Sequence, residues 1–378
     1  MPLLLILVVG AGILYNRLND ERARLLIRRK FQPHLALRVI ERAMTLPLTL
    51  RLEPERREMS VLFSDIRAFT GLSEKMPAEE VVSFLNRYFS RMTSLIFKNS
   101  GTLDKFMGSG VMAFWGHPLA VRNHALRATV CALEMVQEVE DLRSAMMLPG
   151  SARFEIGIGV HTGPMVVGDV GSESHKNYTV IGDHVSLGAR LESVSRHYDA
   201  PIVISEPTYQ ACKEFVCCRE IDTISIDGAG ALTIYEPLGL LRASEERRRR
   251  RERRGAASMV KQVVRAYVFA RHGERRVINR RAGSERLFVT GAQEEFAAKY
   301  AAALALYRAG DLDGASIAFD RVLLLNPADG PARLLKSRIS RRSTHGETAT
   351  FTPTRAMEED EALSWQFMSV GTQTQRKS

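Results

Sequence analysis

The chain has 378 residues, enough for two or three domains, and its 45% hydrophobic and 25% charged residues are ordinary for a folded protein. The cysteines Cys131, Cys212, Cys217 and Cys218 form no CxxC pair and lack zinc-ligand spacing, which indicates reduced thiols in a cytosolic domain. The net charge of +10 is concentrated in residues 247–254. Such a run favours anionic partners, although a solvated linker explains it equally well. We expect no nucleic-acid partner.

The N-terminal stretch predicts a membrane helix over residues 1–15, which are uncharged and mostly aliphatic. The stretch is shorter than the roughly 20 residues that a helix needs to cross a bilayer, and no basic region precedes it as in a signal peptide. The basic cluster over residues 22–30 predicts that the chain after it is cytoplasmic. We expect an inner or cell membrane helix, which could be the last of several; a buried or interfacial helix is the alternative.

Residues 16–54 predict a helical linker that is interrupted at Pro33. Apolar residues repeat with helical spacing between Ala36 and Ala43. Such a stripe between a membrane segment and a folded domain is typical of a parallel dimer contact. Packing on the chain's own domain explains it comparably well.

A hydrophobic run at Val61–Phe63 leads into Asp65, which predicts a buried strand that ends in an acid. A carboxylate at a strand end can hold a divalent metal, because Mg²⁺ prefers hard oxygen ligands. Taken alone, the position is about three times more consistent with an acid that starts a turn than with a metal ligand, because Asp is common in turns.

The following elements predict an α+β fold with a ferredoxin-like βαββαβ core and additions. They are a helix over 77–100, a hairpin of strands 103–107 and 111–115, a helix over 120–142, a strand over 154–161, a short strand over 178–181, a helix over 183–194, and further strands and helices over 201–237.

Four ordered blocks connect these elements to one family: VLFSDIRAFTGLSE (61–74), GTLDKFMGSGVMAFWG (101–116), IGIGVHTGPMVVGDVGSE (156–173) and YTVIGDHVSLGARLE (178–192). Through them, residues 55–238 resemble the catalytic domain of class III nucleotidyl cyclases. The resemblance implies that ATP is converted to 3′,5′-cyclic AMP and pyrophosphate with two Mg²⁺ or Mn²⁺ ions. It also implies a homodimer, because one subunit supplies the metal carboxylates and the other supplies the base-reading residues and an arginine.

The resemblance assigns roles to individual residues. Asp65 matches the first metal carboxylate, and the Ile66 carbonyl is a further metal ligand. Lys105 and Thr179 match the two positions that read adenine, as in a subgroup of adenylate cyclases that carries Thr. Arg190 matches the arginine that stabilises the transition state, since a guanidinium spans two phosphate oxygens.

Three positions depart from the family pattern. Ser109 replaces the second metal carboxylate, so the site keeps a hydroxyl but loses a charge. Ser186 replaces the asparagine that orients the ribose. Asp227 stands where a lysine contacts phosphate, and reversing a charge at about 4 Å from a triphosphate costs on the order of kilocalories per mole.

The C-terminal part changes in character. Residues 239–291 predict a basic flexible linker, residues 292–339 resemble a tetratricopeptide-like helical pair, and residues 340–378 are polar and predict a disordered tail. One such repeat cannot bury a solenoid core, which needs about three or more, so we expect the pair to dock on the cyclase region or to cap the dimer.

Two functions follow from the sequence. The first is a membrane-tethered adenylate cyclase whose activity is reduced by Ser109, Ser186 and Asp227. The alternative is a weak or inactive signalling scaffold that dimerises and binds nucleotide. Diguanylate cyclases share the fold type but need a Gly-Gly-Asp/Glu-Glu-Phe signature, which the sequence lacks.

Overall fold

The computed structural model describes residues 54–118, 120–145, 154–172, 176–226, 230–241 and 285–345. The predicted membrane helix, nearly all of the helical linker, Asp227 and the residues after 345 lie outside these ranges. Among the helices that are described, we find none with both the length and the apolar character needed to span a bilayer. The membrane segment therefore stays a prediction.

The first part of the described chain forms one 8-stranded sheet with the order β2-β3-β1-β4-β6-β8-β7, and β5 pairs with β4. The strands are β1 Glu55–Ile66, β2 Thr102–Met107, β3 Gly110–Trp115, β4 Ile156–Gly171, β5 Lys176–Ile181, β6 Ile202–Ser205, β7 Val216–Ile226 and β8 Gly230–Leu240. The helices among these strands are α1 Phe69–Ser73, α2 Ala78–Lys98, α3 His124–Ala145, α4 Asp183–His197 and α5 Glu206–Cys212. We call this part, residues 54–241 as described, the sheet domain.

The order β1-α2-β2-β3-α3-β4 confirms the predicted βαββαβ core. Each pair of neighbours in its sheet, β2 with β3, β3 with β1 and β1 with β4, is antiparallel, whereas β4 and β6 run parallel and make the whole sheet mixed. The strand predicted over 154–161 is longer, because the residues after His161 pair with the beginning of β1 and with β5. Its apolar pattern is interrupted by Gly163, Pro164 and Gly168, so the prediction from periodicity ended the strand too early.

Both faces of β1 are buried, which holds its carboxyl end rigidly. Leu62 and Ile66 pack into the core formed with α2 and α3. Val61 and Phe63 point to the opposite face, where Val185 of α4 packs against the same cluster. Each such fully buried side chain contributes roughly 1.5–3 kcal/mol. Asp65 is therefore carried by a strand that the core fixes from both sides.

Helix α4 approaches the sheet unusually closely because glycine lines the contact. A Cβ atom on Gly159 of β4 would lie 2.3 Å from the backbone nitrogen of Glu192, and one on Gly188 of α4 would lie 2.6 Å from a methyl group of Val61. Neither position tolerates a side chain without a shift of the helix. The contact fixes how far α4 lies from the sheet, and therefore where its residues Ser186 and Arg190 lie.

The C-terminal described residues form a second unit with its own core. It contains a 3₁₀ turn at Glu285–Leu287 and helices α6 Gly291–Arg308, α7 Leu312–Leu325 and α8 Gly330–His345. We call residues 285–345 the helical unit. Its core consists mainly of Tyr300, Leu304, Tyr307, Phe319 and Leu335.

The helical unit corrects two boundaries of the sequence analysis. Helix α8 follows the predicted pair and runs to His345, so residues 340–345 are helical and do not begin a disordered tail. At the other end, Leu287 and Phe288 are buried, and Phe288 bridges to Leu240 of β8, so the end of the predicted flexible linker is packed on the sheet domain. Residues 340–345 are polar and the residues before 287 are rich in Arg and Gly, so composition hid both segments, although Leu287, Phe288 and Val289 form a short apolar run that the sequence analysis overlooked.

The helical unit docks on β7 and on the end of α4. Arg219 of β7 donates to both carboxylate oxygens of Asp329, at 3.0 and 2.5 Å, and all the atoms involved are buried. Arg338 of α8 donates to Asp222 at 2.9 Å, and Tyr198 at the end of α4 donates to the same carboxylate at 2.7 Å. The docking that the sequence predicted is thus present within one chain.

Candidate active site

Asp65 and Ser109 meet at the carboxyl end of β1. Pairing of Ser64 with Val111 brings the β2–β3 turn beside the strand end. There the Ser109 hydroxyl donates to Asp65 Oδ1 at 2.5 Å, and the backbone N–H of Ile66 donates to the same oxygen at 2.9 Å. Ser109 is only 8% exposed, and its one hydroxyl proton is given to this carboxylate, which leaves the oxygen lone pairs as possible ligands. We call these three residues the metal corner.

Two charged residues of α4 extend the metal corner, and sequence reasoning missed both. Arg196 donates to Asp65 Oδ2 at 3.4 Å and to Glu192 Oε1 at 3.1 Å. Burial raises the pKa of the Glu192 carboxyl, Arg196 partly offsets that shift, and Asp65 adds to it. The i, i+4 spacing of Glu192 and Arg196 is visible in the sequence, but their approach to Asp65 depends on how α4 crosses the sheet.

The donors of the metal corner fit one divalent cation and do not fit a pair. The Asp65 carboxylate, the Ile66 carbonyl and the Ser109 hydroxyl are hard oxygen ligands of the kind that Mg²⁺ and Mn²⁺ accept. However, Asp65 supplies one negative charge, and Arg196 already faces it. In the ranges that the structure describes, no cluster of at least three His, Cys, Asp or Glu side chains is arranged to hold a metal ion.

Lys105 of β2 and Thr179 of β5 meet, although β2 and β5 do not pair in the sheet. Lys105 Nζ donates to Thr179 Oγ1 at 3.3 Å, although 74 positions separate the two residues. Asp104 joins them: Thr179 Oγ1 donates to Asp104 Oδ2 at 2.6 Å, and Lys105 Nζ lies 3.3 Å from Asp104 Oδ1. We call these three residues the base corner. Sequence reasoning missed Asp104, although it directly precedes Lys105.

Helix α4 carries the remaining predicted residues. Ser186 and Arg190 lie four positions apart in α4, which places them on one face of the helix; Ser186 is exposed and Arg190 is half-buried. The first turn of α4 is tied to the sheet by His184, whose Nδ1 lies 2.8 Å from Nε2 of His161 in β4. The other ring nitrogen of His161 lies 2.8 Å from Ser205 Oγ.

His161 makes the fold sensitive to acid. Burial lowers its pKa from 6.5 to about 3, and the neighbouring His184 adds to the shift. Because the folded-state pKa is depressed, the stabilisation is present above pH 6.5 and is lost as the pH falls toward 3. We expect His161→Gln to reduce the slope of unfolding free energy against pH, between pH 6.5 and 5, by up to about 1.4 kcal/mol per unit. Urea unfolding at several pH values measures this slope, and equal slopes in the two proteins would contradict the assignment.

The sheet domain is similar to domains of known proteins. The family described as the adenylate and guanylate cyclase catalytic domain matches residues 53–236. Adenylate cyclase 1 of Rhizobium meliloti is 36% identical over 189 residues, which are 50% of this chain and 28% of that protein. An adenylate cyclase of Anabaena cylindrica is 35% identical over 185 residues, 48% of this chain and 36% of that one.

Two solved structures are similar to about half of this chain. The adenylyl cyclase CyaB from P. aeruginosa is 36% identical, with 49% of this chain and 96% of that chain covered and a TM-score of 0.47. Residues 53–236 are a domain of the adenylate and guanylate cyclase family. The guanylyl cyclase Cya2 is 35% identical, with 49% of this chain and 94% of that chain covered and a TM-score of 0.44. The matching family contains both adenylate and guanylate cyclases, so the family match does not separate the two nucleotides. The choice of nucleotide has to be argued from the base corner.

The cyclase domain gathers the predicted residues into a metal corner, a base corner and the outer face of α4. The curated relatives named above are much longer, so the comparison concerns this domain and not the whole of each protein. The roles of Asp65, Lys105, Thr179 and Arg190 stay predictions. Asp227 lies outside the described residues.

Proposed function

We propose that the chain is an adenylate cyclase that converts ATP to 3′,5′-cyclic AMP and pyrophosphate. The observation that carries the proposal is the contact between Lys105 and Thr179 in a domain of the cyclase family. An ammonium group can donate to N1 of adenine, and a hydroxyl oxygen can accept from the 6-amino group. The two groups are thus suited to the two edge atoms that distinguish adenine.

The chemistry requires an attack by the ribose 3′-hydroxyl on the α-phosphorus. The 3′-oxygen gives its proton to solvent and bonds to the α-phosphorus. The bond between the α-phosphorus and the α–β bridging oxygen breaks, its electron pair stays on that oxygen, and pyrophosphate leaves. Arg190 would neutralise the charge that develops on the phosphate oxygens, and Ser186 would bind the ribose. A divalent cation held by Asp65, the Ile66 carbonyl and the Ser109 hydroxyl would supply the further positive charge that the triphosphate and the 3′-oxygen require.

We propose a homodimer in which the metal corner of one subunit faces the base corner of the other. Large apolar side chains are exposed around the base corner: Phe106 and Met107 on β2 are each 44% exposed, and Ile181 on β5 is 47% exposed. A patch of this kind marks an interaction surface. Residues 1–15 would tether the dimer to the cell membrane.

Ser109→Asp is expected to raise the rate of cyclic AMP formation by about 10- to 100-fold, the range of a charge-assisted interaction. The added carboxylate would stand beside Asp65, where Ser109 now makes its 2.5 Å contact. The variant should need less Mn²⁺ for half-maximal rate, and Mn²⁺ should raise its melting temperature more than that of wild type.

Ser186→Asn is the matched comparison, because it changes one neutral hydrogen bond and should alter the rate by less than about 10-fold. A larger gain from Ser186→Asn than from Ser109→Asp would show that the ribose contact, not the metal corner, limits the rate.

The replacement of a metal carboxylate by Ser109 also favours the second candidate, a scaffold that dimerises and binds nucleotide without cyclising it. The purified full chain, incubated with ATP and Mn²⁺, decides between the two. The enzyme forms cyclic AMP above the level of an Asp65→Ala control. A scaffold binds ATP in a calorimeter and forms no product above that control.

A further inference from the structure

The base corner contains a buried acid that neither catalysis nor metal binding uses. Asp104 is 6% exposed and lies between Leu103 and Lys105, where the register of β2 against β3 shifts. A bulge of this kind re-aims a side chain, and bulges are common beside active sites. Here the carboxylate contacts both Thr179 and Lys105.

The hydrogen bonds of the base corner can be counted atom by atom. An ionised carboxylate only accepts, so the one hydroxyl proton of Thr179 is given to Asp104 Oδ2 at 2.6 Å. One lone pair of Thr179 Oγ1 accepts from Lys105 at 3.3 Å. The hydroxyl keeps one free lone pair and has no proton left, so Thr179 can accept from a ligand but cannot donate to it.

Unlike Thr179, Lys105 can adapt to either purine. Its ammonium group has three hydrogens, of which one is directed at Thr179 and one at Asp104. The third can donate to any acceptor on a base edge, including N1 of adenine or O6 of guanine. In the pose in which Thr179 faces position 6 of the purine, the ammonium can turn from N1 of adenine to O6 of guanine, so discrimination at position 6 rests on Thr179, whose hydrogen-bond direction is set by Asp104.

We propose that Asp104 is a positioning residue that fixes nucleotide preference by holding Thr179 as an obligatory acceptor. The 6-amino group of adenine satisfies that acceptor, whereas the 6-oxo group of guanine places a second acceptor against it. The inference rests on the proposed function, since it explains the choice of base in that same site. A buried acceptor that faces another acceptor disfavours GTP by about 10- to 100-fold.

Asp104→Asn tests the inference with little change in shape. Lys105 would attract the amide oxygen, which turns the amide NH₂ toward Thr179. The amide would then donate to Thr179 Oγ1 and free the hydroxyl proton to donate to a 6-oxo group. We expect the ratio of GTP to ATP dissociation constants, measured by displacement of a fluorescent nucleotide from the full chain, to fall at least about 10-fold.

Glu134→Gln is the matched control. Glu134 is another buried carboxylate, 6% exposed, that binds a lysine and an amide, Lys98 and Asn99, on the α2–α3 side of the sheet. It should leave the ratio unchanged. In a Thr179→Val background, which lacks the hydroxyl, Asp104→Asn should also leave the ratio unchanged, whereas a general loosening of the pocket would change it in both backgrounds.

Wild-type protein provides a test that does not depend on a folded variant. Removal of the amino group, in purine riboside triphosphate, should weaken binding about 10-fold relative to ATP, and a 6-methoxy group should weaken it further. Tighter binding of the 6-methoxy analogue than of purine riboside triphosphate would overturn the inference, because Thr179 would then be donating. An Asp104→Asn ratio equal to that of Glu134→Gln would overturn it as well.

The two proposals fail in different ways. A chain that discriminates ATP from GTP as described but forms no cyclic AMP contradicts the proposed function and supports the role of Asp104. A chain that forms cyclic AMP with an unchanged ratio in Asp104→Asn supports the proposed function and contradicts the role of Asp104. A chain that binds neither nucleotide overturns both.

Discussion

Arg190→Ala is expected to lower the rate constant of cyclic AMP formation by about 100- to 1,000-fold, the loss typical of removing one group that stabilises developing charge. The helix that carries Arg190 is fixed on the sheet through Gly159 and Gly188. The charge on the phosphate oxygens grows toward the transition state, so kcat should fall far more than KM rises. Initial rates at varied ATP separate the two constants.

Arg190→Lys and Arg91→Ala complete that experiment. Lysine keeps the charge but loses the two-pronged geometry, so its rate should lie between those of wild type and Arg190→Ala. Arg91 is 60% exposed on α2 and pairs with Glu138, so Arg91→Ala should leave the rate unchanged. A rate for Arg190→Ala within about threefold of wild type would show that Arg190 does not stabilise the transition state.

Arg219→Met is expected to lower the free energy of unfolding by about 3–5 kcal/mol, the usual cost of breaking a buried ion pair from one side. Arg219 is 4% exposed, donates to Glu236 at 2.7 Å and to Asp329, and stacks against the rings of Phe296 and Tyr300. Its removal would leave two buried carboxylates without a counter-charge. Urea unfolding measures the change.

The pH dependence of Arg219→Met follows from Glu236. Burial raises the pKa of Glu236, and Arg219 opposes that shift. Without the arginine, the folded-state pKa rises further, so the variant should lose stability as the pH increases from about 5 toward 8. Arg286→Ala, which breaks an exposed pair with Asp141, should cost less than about 1 kcal/mol, and a similar small cost for Arg219→Met would mean that the helical unit is not held through this cluster.

Apolar runs and turn residues in the sequence predicted the strands and turns that depend on neighbouring residues. The run before Asp65 is apolar because β1 is buried on both faces, and the turn at Gly108 has a positive φ of 60°, which glycine adopts readily. The spacing predicted the β2–β3 hairpin, with Ser109 at the turn and Lys105 on the strand, whereas the roles of these two residues were implied by the family resemblance. The beginning of α4 was likewise visible from its sequence.

The parts that escaped prediction depend on contacts between distant residues. Asp104 was overlooked because its importance comes from Thr179, which lies 75 positions away. Arg196 reaches Asp65 only because α4 crosses the sheet at short distance. Helix α8 is polar along most of its length and is held by Leu335 in the helical core and by Arg338 against Asp222, neither of which is a local signal.

Mixing two inactive variants tests most directly the claim that the chain is a cyclase whose site is shared between subunits. Asp65→Ala damages the metal corner and Arg190→Ala damages the other half of the site. In a heterodimer of the two, one site carries both defects and the other is intact. Equal mixing should therefore restore about one quarter of the wild-type rate of cyclic AMP formation, because half of the dimers are mixed and each has one working site. A mixture that is no more active than the two variants measured separately would contradict the account.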